Sequence, residues 1–140
     1  MKISARNVLQ GRVQNVIKGA VNAQITIVLA GGEHIVSIIT NSSVDSLGLE
    51  PGKPAFAIIK ASDVIVGKDL GTAQLSARNV LAGQIDRVVD GAVNGEVTIQ
   101  LAGGTTVVAS ITKESIKALG LRAGEKVSAV IKAPNVLIGV

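Results

Sequence analysis

Ser4 and Arg6 stand two residues apart near the start of the chain, and the same pair returns as Ser76 and Arg78. Lys60 and Lys132 are matched in the same way, each followed by an alanine, Ala61 and Ala133. A hydroxyl, a guanidinium and an ammonium share one property: each donates hydrogen bonds at neutral pH without first losing a proton. Side chains at i and i+2 of a strand point to one side, so each Ser-x-Arg unit would aim its donors at a common place. Such a set suits a small tetrahedral oxyanion, whose oxygens act only as acceptors once it is fully ionised. Thr40 and Thr112 stand where a third strand should give way to a helix. They can serve as caps, or as the opening of a run of free backbone N–H groups, or both.

The donors recur because the chain does. Residues 1–68 align with 73–140 without a gap, and about half of the positions are identical, which marks two copies of one small module. Gly19-Ala20-Val21-Asn22 matches Gly91-Ala92-Val93-Asn94, and Leu29-Ala30-Gly31-Gly32 matches Leu101-Ala102-Gly103-Gly104. Most charges change between copies: Lys18 becomes Asp90, Asp45 becomes Lys117, Glu50 becomes Arg122 and Lys53 becomes Glu125. Arg6/Arg78 and Lys60/Lys132 keep both sign and residue.

The elements that must position these residues are short strands and one helix per copy. Asn7–Ile17 reads as a strand, with Gly11 marking a bend or bulge. Lys18-Gly19-Ala20 is a turn, and Val21–Leu29 and its twin alternate with period two, as half-buried strands do. Gly31-Gly32 and Gly103-Gly104 make hairpin turns that need positive φ, leading into third strands at His34–Thr40 and Thr106–Thr112. A short helix follows, capped by Thr112, with Glu114 in its first turn and Gly120 as its stop; Gly48 is the stop in the first copy. Fourth strands run over Ala55–Lys60 and Val127–Lys132, and a last short strand, Val64–Val66 or Val136–Ile138, is expected to close each copy. The expected fold is all-β: two tandem OB-fold-like, five-stranded β-barrels, each with one short helix. Module 1 spans 1–68, a linker 69–74, and module 2 spans 75–140; so short a linker keeps the barrels adjacent.

Composition narrows the function. Cysteine is absent and His34 is the single histidine, which excludes a disulfide framework and a thiolate or His-rich metal site. With one Phe and no Tyr or Trp, modules this small lack the rings that supply most apolar area, so a homo-oligomer is expected. The net charge of +4 is spread evenly over the halves, seven Lys/Arg against five Asp/Glu in each. That balance suits an anionic partner but not a nucleic acid. Neither a secretory leader nor a membrane-spanning run is visible, so the expected location is cytoplasmic, with no membrane partner.

Ser-Ala-Arg-Asn at 4–7 and 76–79, Gly-Ala-Val-Asn at 19–22 and 91–94, and Lys-Ala-Ser at 60–62 together resemble the molybdate-binding Mop family, the molbindins, in their tandem two-module form. The resemblance implies a trimer of tandem chains, six modules in all, that stores molybdate or tungstate in the cytoplasm. The oxyanion is the ligand, held without direct metal ligands and without a further cofactor. Two kinds of site are implied. One lies between modules and takes Ser4, Arg6, Lys60, Ala61 and Ser62, with Ser76, Arg78, Lys132 and Ala133, and with Thr40 and Thr112 as backbone donors. The other lies near the threefold axis, at Gly19, Ala20, Val21 and Asn22 and at Gly91, Ala92, Val93 and Asn94. One departure matters: Pro134 stands where Ser62 stands, removing a hydroxyl and a backbone N–H.

Other classes fit less well. A single-stranded nucleic-acid binder on the same barrel would stack bases on rings, and Phe56 becomes Ser128 in the second copy. No nucleophile pair, phosphate loop or Ser-His-Asp set supports an enzyme. An anion-sensing module that docks on another protein is the remaining alternative.

Overall fold

The computed structural model describes residues 1–140. The first half carries β1 (Asn7–Lys18), β2 (Asn22–Leu29), β3 (His34–Thr40), α1 (Asn41–Leu47), β4 (Pro54–Ile59) and β5 (Ile65–Gly67). The second carries β6 (Asn79–Val89), β7 (Asn94–Leu101), β8 (Thr106–Thr112), α2 (Lys113–Leu119), β9 (Lys126–Ile131) and β10 (Leu137–Gly139). A single 3₁₀ turn, Ala61–Asp63 or Ala133–Asn135, precedes the last strand of each half.

β1 is long enough to serve two partners. Its first part pairs with β4 and its second with β2, so the strand curls around the core. Gly11 sits where the two pairings overlap, and a Cβ there would collide with the Val28 carbonyl and the Ile27 side chain. Glycine is thus needed for close approach. The bulge expected at Gly11 lies further on, between Val13 and Asn15, with its twin between Ile85 and Arg87. The helices behave as their caps dictate. Thr40 and Thr112 accept from Ser43 N–H (3.0 Å) and Ser115 N–H (3.1 Å), and Gly48 and Gly120 end each helix in the left-handed region.

The last strands differ from expectation. β5 does not close its own copy. It pairs antiparallel with β9, while β10 pairs with β4. The two sheets therefore run β10-β4-β1-β2-β3 and β5-β9-β6-β7-β8, each with four strands from one half and one from the other. The 3₁₀ turn after β4 carries the chain off its own sheet and onto β8, so β5 emerges beside β9. The short tether makes this exchange intramolecular, and hence favoured by effective concentration. Lys68 strengthens it by reaching the Leu119 carbonyl (3.1 Å) and Glu125 (3.5 Å). Arg122, with Lys68 beside it, holds the Glu125 carboxyl below its usual range.

Side-chain amides close the seam. Asn7 Nδ2 donates to the Val108 carbonyl (2.9 Å), and the Val108 N–H donates to Asn7 Oδ1 (2.7 Å). Asn79 does the same to Val36, at 2.8 Å in both directions. Each amide thus satisfies the outer edge of the other half's third strand, and both asparagines are 2% exposed. Ser37 Oγ adds a bond to the Val136 carbonyl (2.6 Å). A continuous core of 26 buried apolar residues draws on both halves and consists of Ile, Val, Leu and Ala. No helix is long and apolar enough to cross a membrane.

Asn7→Ala should leave the Val108 N–H and carbonyl unpaired at a buried edge, destabilising the protein by about 2–4 kcal/mol. Asn79→Ala should do the same through Val36. Urea unfolding measures both, and a loss below about 0.5 kcal/mol in each would show that the clasps are dispensable.

Candidate oxyanion site

The register that forms the barrel also sets its charges. Asn7 pairs with Ile59 and Asn79 with Ile131. Each Arg is one residue before its asparagine and each Lys one after its isoleucine, so Arg6 lies level with Lys60, and Arg78 with Lys132. Like charges placed opposite one another on paired strands repel. Neither lysine has an ion-pair partner. Two cations at one strand end, with no carboxylate on the lysine, make a place where an anion would lower the energy.

Around Arg6 and Lys60 the chain builds a cleft of about 490 Å³. Ser4, Ala5 and Arg6 line one side, in the segment just ahead of β1 and not in the strand itself. The backbone bends at Ser4 and at Arg6, so the expected strand geometry of the Ser-x-Arg unit does not hold there. Lys60, Ala61 and Ser62 line another, where the chain turns toward the second half. Glu96 on β7 and Ser110 on β8 complete it from across the seam. The cleft therefore belongs to neither half alone. On the Arg78 side, the repeat places Pro134 for Ser62 and Ile38 for Ser110, so that side has fewer hydroxyls.

The two arginines meet different partners. Arg6 Nη1 donates to Glu96 Oε2, whereas Arg78 Nη1 donates to Gln24 Oε1 (2.8 Å). Positions 24 and 96 are equivalent in the two copies. Neither they nor Ser110 stand out in the sequence, because they occur in alternating strands where polar residues normally face solvent. Asn7 and Asn79 do carry a signal in the sequence, since both copies keep the asparagine of Ser-Ala-Arg-Asn.

Thr40 and Thr112 lie elsewhere than their own copy's Ser-x-Arg segment. Ser110 faces Arg6, and Thr112 follows it by two residues on β8, so Thr112 extends the Arg6 side of the seam. By the same register Thr40 belongs to the Arg78 side. Strand exchange and the asparagine clasps cause this crossing, because they lay each half's third strand against the other half's first. Both threonines are occupied as caps.

Thr40 also pairs with Asn22, and Thr112 with Asn94. The Gly19–Asn22 turn thus packs onto the start of α1. The Gly19 N–H donates to the Asn22 carbonyl (2.7 Å) and the Asn41 N–H to the Val21 carbonyl (2.8 Å). Asn41 Nδ2 donates to the Gly19 carbonyl (2.9 Å). The Gly91–Asn94 turn repeats one of these bonds, with the Lys113 N–H donating to the Val93 carbonyl (2.8 Å). Ala20 and Ala92 are exposed at the turn tips. Val21 and Val93 project outward, 69% and 75% exposed. Both turns lie apart from the residues that line the Arg6 cleft.

No group of three or more His, Cys, Asp or Glu residues converges anywhere in the chain. Ser4, Arg6, Lys60 and Ser62 present hydrogen-bond donors at the seam.

Known proteins place the chain. A model of the TOBE domain matches twice, at residues 3–66 and 75–138. The molybdenum transport protein ModE of Herbaspirillum seropedicae is 39% identical over 140 residues, all of this chain and 52% of its own length. The molybdenum-pterin-binding protein MopA of Rhodobacter capsulatus is 38% identical over 138 residues, 99% of this chain and 52% of its own. The chain therefore spans about half the length of the curated relatives it matches. The crystal structure of the cytoplasmic molybdate-binding protein ModG with molybdate bound superposes with a TM-score of 0.97 at 47% identity, covering 100% of this chain and 99% of that one. Two matched segments that together take in nearly every residue, arranged as the two barrels described above, establish that the chain belongs to the TOBE domain family and carries the domain in tandem.

Proposed function

We propose that this protein binds molybdate, or tungstate, as the intact oxyanion at the seams between its modules, and serves as a cytoplasmic store of it rather than as an enzyme. The observation that carries the proposal is the placing of Arg6 level with Lys60, and of Arg78 level with Lys132, at strand ends on the seam between the halves. The relatives supply the choice of anion: ModG binds molybdate, and ModE and MopA are named for molybdenum.

In the Arg6 cleft the ligand would take hydrogen bonds from the guanidinium, the Lys60 ammonium and the hydroxyls of Ser4 and Ser62, with backbone N–H groups near Ala61 adding to them. A charge-assisted hydrogen bond contributes roughly 1.5–3 kcal/mol net. Four or five sum to about 6–15 kcal/mol before ordering costs, and micromolar binding requires about 8 kcal/mol. Ser76, Arg78, Lys132 and Ala133 form the corresponding set on the other seam, with Pro134 reducing its donors. Sulfate has the same charge and shape, so preference for molybdate rests on its larger radius in a rigid seam.

The molecule is proposed to act as a homotrimer with a second class of oxyanion site near its axis, formed by Gly19–Asn22 and Gly91–Asn94. Supporting this, Ile17, Val21, Val89 and Val93 are exposed at the same end of their hairpins in both halves, and apolar side chains repeated in this way mark a surface that another copy can cover.

Arg6→Ala combined with Arg78→Ala should remove most tight molybdate uptake in isothermal titration while leaving the circular dichroism unchanged; undiminished stoichiometry would reject the seam sites. By analytical ultracentrifugation the unmodified protein should sediment at the mass of three chains. Val21→Asp with Val93→Asp should shift it to one, and a monomeric unmodified protein would overturn the trimer.

A further inference from the structure

The two seams are not equivalent, and one of the differences is a charge. Arg6 is held by a carboxylate, Glu96, and Arg78 by a neutral amide, Gln24. The side chains of Arg6 and Glu96 remain 50% and 40% exposed, so the ion pair adds little to folding. Its effect falls on the cleft. Arg6 gives one of its five N–H donors to Glu96. A guanidinium already neutralised by one carboxylate attracts a second anion less strongly, and a dianion entering beside an ionised Glu96 is repelled.

We propose that Glu96 is a built-in competitor for the Arg6 cleft, lowering its affinity for a dianionic tetrahedral oxyanion, whereas the Arg78 seam with Gln24 is uncontested. The proposal rests on the seams being oxyanion sites. One negative charge about 5 Å from a dianion in a water-like medium weakens binding on the order of ten-fold, and more as the cleft excludes water. The hydroxyls of Ser62 and Ser110 act in the opposite direction on the Arg6 side, while Pro134 and Ile38 stand in their places on the other. One seam is thus rich in donors but contested, and the other is poor in donors but open. The protein would present two affinities for one ligand.

The test is isothermal titration of the full chain with sodium molybdate, one seam at a time. In an Arg78→Ala background, which leaves the Arg6 cleft, Glu96→Gln should tighten binding about ten-fold or more. In an Arg6→Ala background, Gln24→Glu should weaken the Arg78 seam by a similar factor. Gln is the residue the first copy already carries at this place, so the fold should tolerate it; should Glu96→Gln fail to fold, Glu96→Ala should give the same tightening. Unchanged or weaker binding on removal of the Glu96 charge overturns the competitor, and the seam sites stand if Arg6→Ala still abolishes that uptake. Absence of molybdate binding by the unmodified protein overturns both.

Discussion

Two buried amides decide the shape of this molecule. Asn7 and Asn79 each pair with both the N–H and the carbonyl of a residue on the other half's third strand. The outer edge of a sheet is otherwise a row of open hydrogen-bonding groups, costly to bury and prone to pairing with strangers. Clasping that edge with a side chain seats one barrel against the other in a fixed register. Each asparagine directly follows an arginine, so the residue that locks the seam also fixes where the guanidinium begins. Structural and functional constraints here act on neighbouring positions of one motif.

The cost of this arrangement is electrostatic. Pairing Asn7 with Ile59 brings Arg6 level with Lys60, and the repeat does the same with Arg78 and Lys132. A chain selected for stability alone would place a carboxylate between such cations. On one seam Glu96 meets the arginine alone, and the lysines are left without a partner on either. Local rules broken without structural gain are characteristic of binding sites, where the missing partner arrives from outside. The glycines at the hairpin tips follow the same logic of tight apposition: a Cβ on Gly31 or on Gly103 would collide with the other turn, so the halves approach there backbone to backbone.

Much of this was legible in the sequence, because it depends on local signals. Period-two alternation, the Gly32 and Gly104 turns at φ +92°, the threonine caps and the glycine stops are decided within a few residues and stand where the sequence placed them. The gathering of Ser4, Arg6, Lys60 and Ala61 into one cleft was likewise suggested by their repetition, and that of Ser62, which becomes Pro134 in the second copy, by the family resemblance. What could not be read was anything that depends on which half a segment joins. A three-residue strand such as Ile65–Gly67 carries the same apolar pattern whether it pairs with β4 or with β9, and only the direction of the preceding 3₁₀ turn distinguishes them. For that reason the crossing of Thr40 and Thr112 to the opposite seams, and the roles of Gln24, Glu96 and Ser110, emerged only from the tertiary arrangement.

Strand exchange also has a consequence for the nascent chain. On the ribosome, Pro54–Ile59 emerges long before Leu137–Gly139, the segment that covers its free edge. The leading barrel cannot therefore be finished until Leu137–Gly139 has emerged, and its uncovered strand is most vulnerable to sticking to a neighbouring polypeptide during that interval. Ala57–Ile59 carries no charge of its own, and Lys60 directly after it is the one adjacent charged gatekeeper on that side. Rapid translation of the trailing barrel would shorten the exposure, so codon choice between the two repeats is a feature on which selection can act.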